Sequence, residues 1–132
     1  MRTAVFALLW IVASALPAPT LAATTPAALT GDAALGREVF KGCEGCHSVQ
    51  PNVHLFGPSL AGVVGRPAGR LKGYTFSDAL AAQKFTWTNQ RLEAWLGDEP
   101  KNLVPGTRME FPGIADKAQL RELIAYLDTL KR

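Results

Sequence analysis

The chain has 132 residues, a net charge of +3 and only two cysteines. That length is enough for one domain with a modest core. The charge is too mild and too scattered for a nucleic-acid binder, which would show clustered Lys and Arg.

Residues 1–22 have the anatomy of a secretory signal peptide. Arg2 supplies a short positive n-region, Ala4 to Leu16 is apolar, and Thr20-Leu21-Ala22 is a small-residue cleavage site. Pro17 and Pro19 end the apolar run short of the ~20 residues a membrane span needs, so no stable membrane insertion is expected after cleavage. Residues 23–31 read as a flexible Ala/Thr/Pro-rich tail, and residues 32–132 as a single domain. Within it Asp32 is a fair N-cap for a first helix, with Leu35, Val39 and Phe40 as its apolar stripe. From Ser48 to Gly73 the chain is rich in Gly and Pro and reads as loop. Ser77 caps a short helix through Ala82. Thr88 opens a better one, with Leu92, Trp95 and Leu96 on one face and Gly97 near its end. Lys101 to Gly113 reads as loop again. Asp116 with Gln119 resembles a capping box before the strongest helix, with Leu120, Leu123, Ile124, Leu127 and Leu130 at helical spacing. No segment reads as a strand, and there is no internal repeat. The fold class is all-α, a few helices and long loops. Such loops in a small domain need something to pack on.

Cys43-Glu44-Gly45-Cys46-His47 supplies it. Cys-x-x-Cys-His is the pattern of c-type haem attachment. Each cysteine sulfur adds to one haem vinyl group. Cysteines three apart on neighbouring helical turns reach one porphyrin edge, and the next residue brings an imidazole beneath the iron. A zinc site would need about four ligands, and the only other histidine is His54. A thioredoxin-like pair expects a strand before the motif, whereas Ala33 to Lys41 looks helical. A disulfide closing so small a loop is a poor staple.

One axial histidine leaves a sixth position open. Met1 departs with the leader, so Met109 is the remaining thioether, in a turn-rich stretch far from His47. As a lone methionine it would read as an adaptable core filler; beside a haem motif it reads as the second ligand. His54, seven residues after His47, is too near in sequence to cross the haem plane easily and reads as a surface-loop histidine.

Together these fragments resemble the class I cytochromes c, of the mitochondrial-like and bacterial c2/c-550 kind. Gly36-Arg37-Glu38-Val39-Phe40 resembles the family's first helix, whose glycine lets the last helix cross closely, with Tyr126 as the partner aromatic. Gly57-Pro58 resembles the Gly-Pro whose proline carbonyl accepts the Nδ1 hydrogen of the axial histidine. Pro105-Gly106-Thr107-Arg108-Met109 resembles the Pro-Gly-Thr-Lys-Met ligand loop. Arg66 and Trp87 fall where relatives contact a haem propionate. There are departures. Phe76 stands in place of a propionate-binding tyrosine, with Tyr74 two residues earlier. Leu80 replaces an asparagine, and Trp95 replaces a tyrosine whose hydroxyl approaches the methionine sulfur.

The resemblance implies one haem c bound covalently through Cys43 and Cys46, with His47 and Met109 as axial iron ligands. It implies a monomeric, non-enzymatic, periplasmic electron carrier. Its donor would be a quinol-oxidising complex or periplasmic dehydrogenase, and its acceptor a terminal oxidase. By the same resemblance Lys41, Lys72, Lys101 and Arg108 are candidates to ring the exposed haem edge and make docking salt-sensitive; the alternative is an evenly solvated surface, because Glu44, Asp98 and Glu110 are interleaved with them. Two alternatives stand beside this. One is a haem enzyme or gas sensor with a labile sixth ligand. The other is the dedicated electron-entry subunit of one dehydrogenase.

Overall fold

The computed structural model describes residues 31–130. The expected signal peptide at residues 1–22 and the tail up to residue 30 lie outside the described residues.

Five helices form: α1 (Ala33–Phe40), α2 (Asp78–Ala81), α3 (Asn89–Leu96), α4 (Pro100–Leu103) and α5 (Lys117–Thr129). Among the described residues there is no strand, and a single isolated bridge pairs Pro67 with Thr86. The cap residues act as the sequence suggests. Asp32 accepts from the N–H groups of Ala34 and Leu35, Ser77 from Leu80, Thr88 from Arg91, and Asp116 from Ala118 and Gln119. Each satisfies amide donors that the first helical turn leaves open.

The organising contact is the crossing of α1 and α5. A Cβ built on Gly36 would overlap the Glu122 carbonyl and crowd Tyr126 Cβ, so only glycine allows the two backbones this close. One turn on, the Phe40 and Tyr126 rings meet at 5.3 Å between centroids. Phe40, Leu120 and Leu123 are fully buried there, each contributing about 1.5–3 kcal/mol of transfer free energy. Gly31 also abuts the backbone of α5 at Arg121.

Two expectations need correction. Leu35 is 51% exposed, and the buried face of α1 is carried by Gly36 and Phe40. The close crossing leaves no room beside Gly36 for a second large side chain to turn inward. The stretch expected as loop from Lys101 to Gly113 begins inside α4, which has Pro100 in its first turn. Proline there sets a helical φ and lacks only an N–H that the first turn would not use.

Candidate functional site: a haem-sized apolar cavity

The C-cap of α1, Lys41, leads into a run of turns, residues 41–46, rather than the regular helix the cysteine spacing suggests. The hydrogen bonds remain helix-like: Cys46 N–H to Cys43 O at 3.1 Å and His47 N–H to Cys43 O at 2.9 Å. The motif therefore keeps both sulfurs near one another. No disulfide joins them; Cys43 is half-buried and Cys46 exposed. Burial, then the charges of Cys46 and Glu44, pushes the Cys43 thiol above its ordinary pKa.

His47 is positioned from the next loop. Its Nδ1–H donates to the Pro58 carbonyl at 2.8 Å, because a carbonyl can only accept. The Gly57 N–H donates to Cys46 O at 2.7 Å, and a Cβ on Gly57 would run into the imidazole. The loop thus lies flat against the ring. Burial, reinforced by the Arg66 charge, lowers the His47 pKa against the raising effect of the Pro58 bond. The ring is held neutral, with Nε2 left as its lone-pair atom. That is the protonation state and tautomer a metal-binding histidine needs.

These groups line a cavity of about 830 Å³. Cys43, Cys46, His47 and Met109 all border it, together with Arg66, Leu80, Trp87 and Trp95. Its volume and mostly apolar wall suit a large flat apolar ligand. The sulfur of Met109 accepts a hydrogen bond from the Trp95 indole N–H at 3.2 Å. Trp95, 4% exposed, stacks edge-on against Trp87 at 5.1 Å. Arg66 is no ordinary surface arginine: its guanidinium donates to the carbonyls of Ser59 at 3.1 Å and Ala61 at 3.3 Å. The backbones of Arg66 and Trp87 are joined by the Trp87 N–H to Arg66 O bond at 2.9 Å. Tyr74, on the cavity rim, spends its hydroxyl on the Phe56 carbonyl at 2.9 Å.

His54 does not line the cavity, yet it is more than a surface-loop histidine. Its Nδ1 accepts from Ser59 N–H at 3.1 Å, so its Nε2–H donates to the Lys72 carbonyl, at 3.3 Å. It ties the loop that supports His47 to the segment around Lys72. Nothing in its sequence neighbourhood signals this, because both partners are backbone groups.

A cytochrome c family model matches residues 33–131. The chain belongs to the class I cytochromes c. It is 41% identical over 108 residues to cytochrome c2 of Blastochloris viridis, covering 81% of this chain and 84% of that one. To cytochrome c2 iso-2 of Magnetospirillum fulvum it is 46% identical over 88 residues, 67% and 91% of the two chains. Among solved structures it matches cytochrome cH from Methylobacterium extorquens with a TM-score of 0.70 and 48% identity, over 75% of this chain and 99% of that one. Members of this family carry one covalently attached haem c and transfer electrons. The cavity has the donor set and apolar wall that such a group requires, and the cysteine pair that attaches it is in place. No described helix is long and apolar enough to cross a membrane.

Proposed function

We propose that this cytochrome c is a soluble periplasmic carrier of single electrons with His/Met axial ligation. Cys43 and Cys46 hold the haem through thioethers, and His47 Nε2 and Met109 Sδ are the iron ligands. The observation that carries this reading is the convergence of those four side chains on one apolar cavity, where His47 is oriented by the Pro58 carbonyl and Met109 by Trp95. The haem supplies a one-electron ferrous/ferric couple, whose potential His/Met ligation raises.

The protein's own residues do the rest. Pro58 fixes the tautomer of His47. Trp95 holds the Met109 sulfur, and Trp87 and Leu80 keep the cavity wall apolar. Arg66, anchored on Ser59 and Ala61, and Trp87 border the cavity where a propionate would be received. With both axial positions taken, no site remains for substrate, which favours a carrier over a haem enzyme or gas sensor. Residues 1–22 would direct export. Partners would be a quinol-oxidising complex or periplasmic dehydrogenase on one side and a terminal oxidase on the other. A dedicated electron-entry subunit of one dehydrogenase would use the same site.

The test is spectroscopic and by mass. Mature protein should exceed its polypeptide mass by one haem, and acid–acetone should not extract the haem. Carbon monoxide should leave the visible spectrum of the reduced form unchanged. Extractable haem would overturn the thioether assignment. Ready carbon monoxide binding by the native protein would overturn the Met109 assignment and favour an enzyme or sensor.

A further inference from the structure

The exposed large apolar side chains among the described residues are Leu35, Val53, Leu55 and Phe56. Three of the four fall within one four-residue stretch. Phe56 is 87% exposed and also borders the haem-sized cavity, so it stands at the cavity mouth. Val53 and Leu55 are 46% and 48% exposed.

This is not slack in a loose loop. Leu55 N–H bonds Gly57 O at 3.0 Å, and Val53 N–H bonds Gln50 O at 3.2 Å. Tyr74 O–H bonds the Phe56 carbonyl, and His54 is tied at both ring nitrogens. The backbone is braced from several sides while its apolar side chains face water. Three exposed apolar side chains on one braced four-residue stretch beside a functional cavity mark a contact site.

The expected ring of docking cations is weaker than the sequence suggests. Lys41 is paired with Glu38 and Lys101 with Glu99, each at 2.5 Å. Arg108 donates to the Thr75 carbonyl. Residues 48–60 carry no Lys, Arg, Asp or Glu. Where the patch meets the cavity mouth the charges are mixed in sign: Arg66, Arg108 and Glu110 line the cavity with Phe56, and Lys72 lies across from His54. A partner with a dense field of carboxylates finds no matching field here; a partner with an uncharged, apolar face does.

We infer that Val53, Leu55 and Phe56 form the docking contact for a redox protein whose own exposed cofactor edge is framed by apolar side chains, with Phe56 as the anchor. This rests on the carrier reading above. The size of the patch supports a transient partner rather than a second copy of this chain. The three side chains offer roughly 300 Å², given 150–250 Å² for a large side chain, against the ~600 Å² per partner of even a small stable interface. A dimer through this loop would also cover both cavity mouths. Exposed aromatics are the usual anchors of small interfaces.

The test uses holoprotein at gold electrodes whose monolayers end in hydroxyl groups, in a methyl/hydroxyl mixture, or in carboxylates. Native protein should exchange electrons fastest at the methyl/hydroxyl surface, with little change on adding salt. Phe56→Ser should slow that exchange about tenfold, and Leu55→Gln should slow it less. Leu55→Gln, whose site does not border the cavity, should keep the native midpoint potential and spectrum, and the Phe56→Ser rate is compared with the native rate at equal driving force. Equal rates for native and Phe56→Ser protein at the mixed surface would overturn the assignment. So would a native preference for carboxylate that salt abolishes. Sedimentation showing a dimer that Phe56→Ser dissolves would overturn it in favour of a second copy. If haem is present but neither protein gives a reversible one-electron wave, it is the carrier reading that fails.

Discussion

The indole N–H of Trp95 donates to the sulfur of Met109 at 3.2 Å. The resemblance to other class I cytochromes c places a tyrosine hydroxyl at this position. The tryptophan supplies the missing donor from a larger ring, and its edge-to-face contact with Trp87 fixes the ring's plane. An indole N–H is a donor only, and a thioether sulfur has two lone pairs, so the sulfur can accept this bond and still offer a lone pair to a metal.

If Met109 is the proposed iron ligand, a donor on its sulfur draws electron density away from the iron and favours the ferrous state. Trp95→Phe keeps an aromatic ring and removes the donor. Its midpoint potential should fall by about 40 mV, scaling one hydrogen bond at about 1 kcal/mol to a one-electron couple. Trp95→Tyr should recover part of that loss. Spectroelectrochemical titration of the three proteins measures both values. An unchanged potential in Trp95→Phe would mean that the sulfur is not bonded to iron or not polarised by the indole.

The crossing of α1 and α5 sets a second expectation. Gly36→Ala places a methyl group into the carbonyl of Glu122, and two helix backbones must separate to admit it. The gain in helix propensity, about 1 kcal/mol, is smaller than the cost of overpacking. Denaturant unfolding of the holoprotein should show a net loss of about 2 kcal/mol. The same substitution at Gly45, whose added Cβ meets nothing within 4 Å, should be nearly neutral and serves as the control.

What was legible in the sequence were features read locally or by fixed spacing. Asp32, Ser77, Thr88 and Asp116 act within three residues of themselves. The stripe on α5 follows helical periodicity, so its buried residues were named in advance. Cys43, Cys46 and His47 are read by their spacing alone. Relations between segments far apart were not legible. The bonds from His54 to Ser59 and to Lys72 involve backbone groups that any residue carries. The exposure of Leu35 depends on how closely α5 crosses, and the backbone at Phe56 is held by the hydroxyl of Tyr74, 18 residues away. The Trp95–Met109 bond was invisible for another reason: a tryptophan in an apolar stripe reads as core, and its one polar atom leaves no mark in the pattern.

The role found for His54 separates stability from ligation. His54→Ala leaves the Ser59 N–H and the Lys72 carbonyl without their partner and frees the loop that carries Pro58. Two hydrogen bonds at about 1 kcal/mol each predict a loss of roughly 1–3 kcal/mol in denaturant unfolding. His54 does not border the cavity, so the visible spectra of both redox states should stay native. A loss of the low-spin spectrum would instead make His54 an iron ligand and displace Met109 from the proposed pair.

Met109→Ala decides between a carrier and an enzyme. With its sulfur removed, the sixth position has no protein ligand in reach from the same turn: Thr107 is spent near the Met109 backbone and Arg108 on Thr75. The oxidised variant should lose the weak red absorption of a sulfur-ligated haem and become partly high-spin. An internal ligand held by about 2.8 kcal/mol lowers the apparent affinity of an external one about a hundredfold. Carbon monoxide should therefore bind the reduced variant at least that much more tightly than it binds the native protein. Peroxide-dependent oxidation of a dye should appear with it, because an accessible iron can react where a capped one cannot. Titration of both proteins with carbon monoxide is the measurement. Equal affinity in the two would show that Met109 does not cap the iron, and the methionine would then be what a lone core methionine usually is, a filler of the space beneath Trp95.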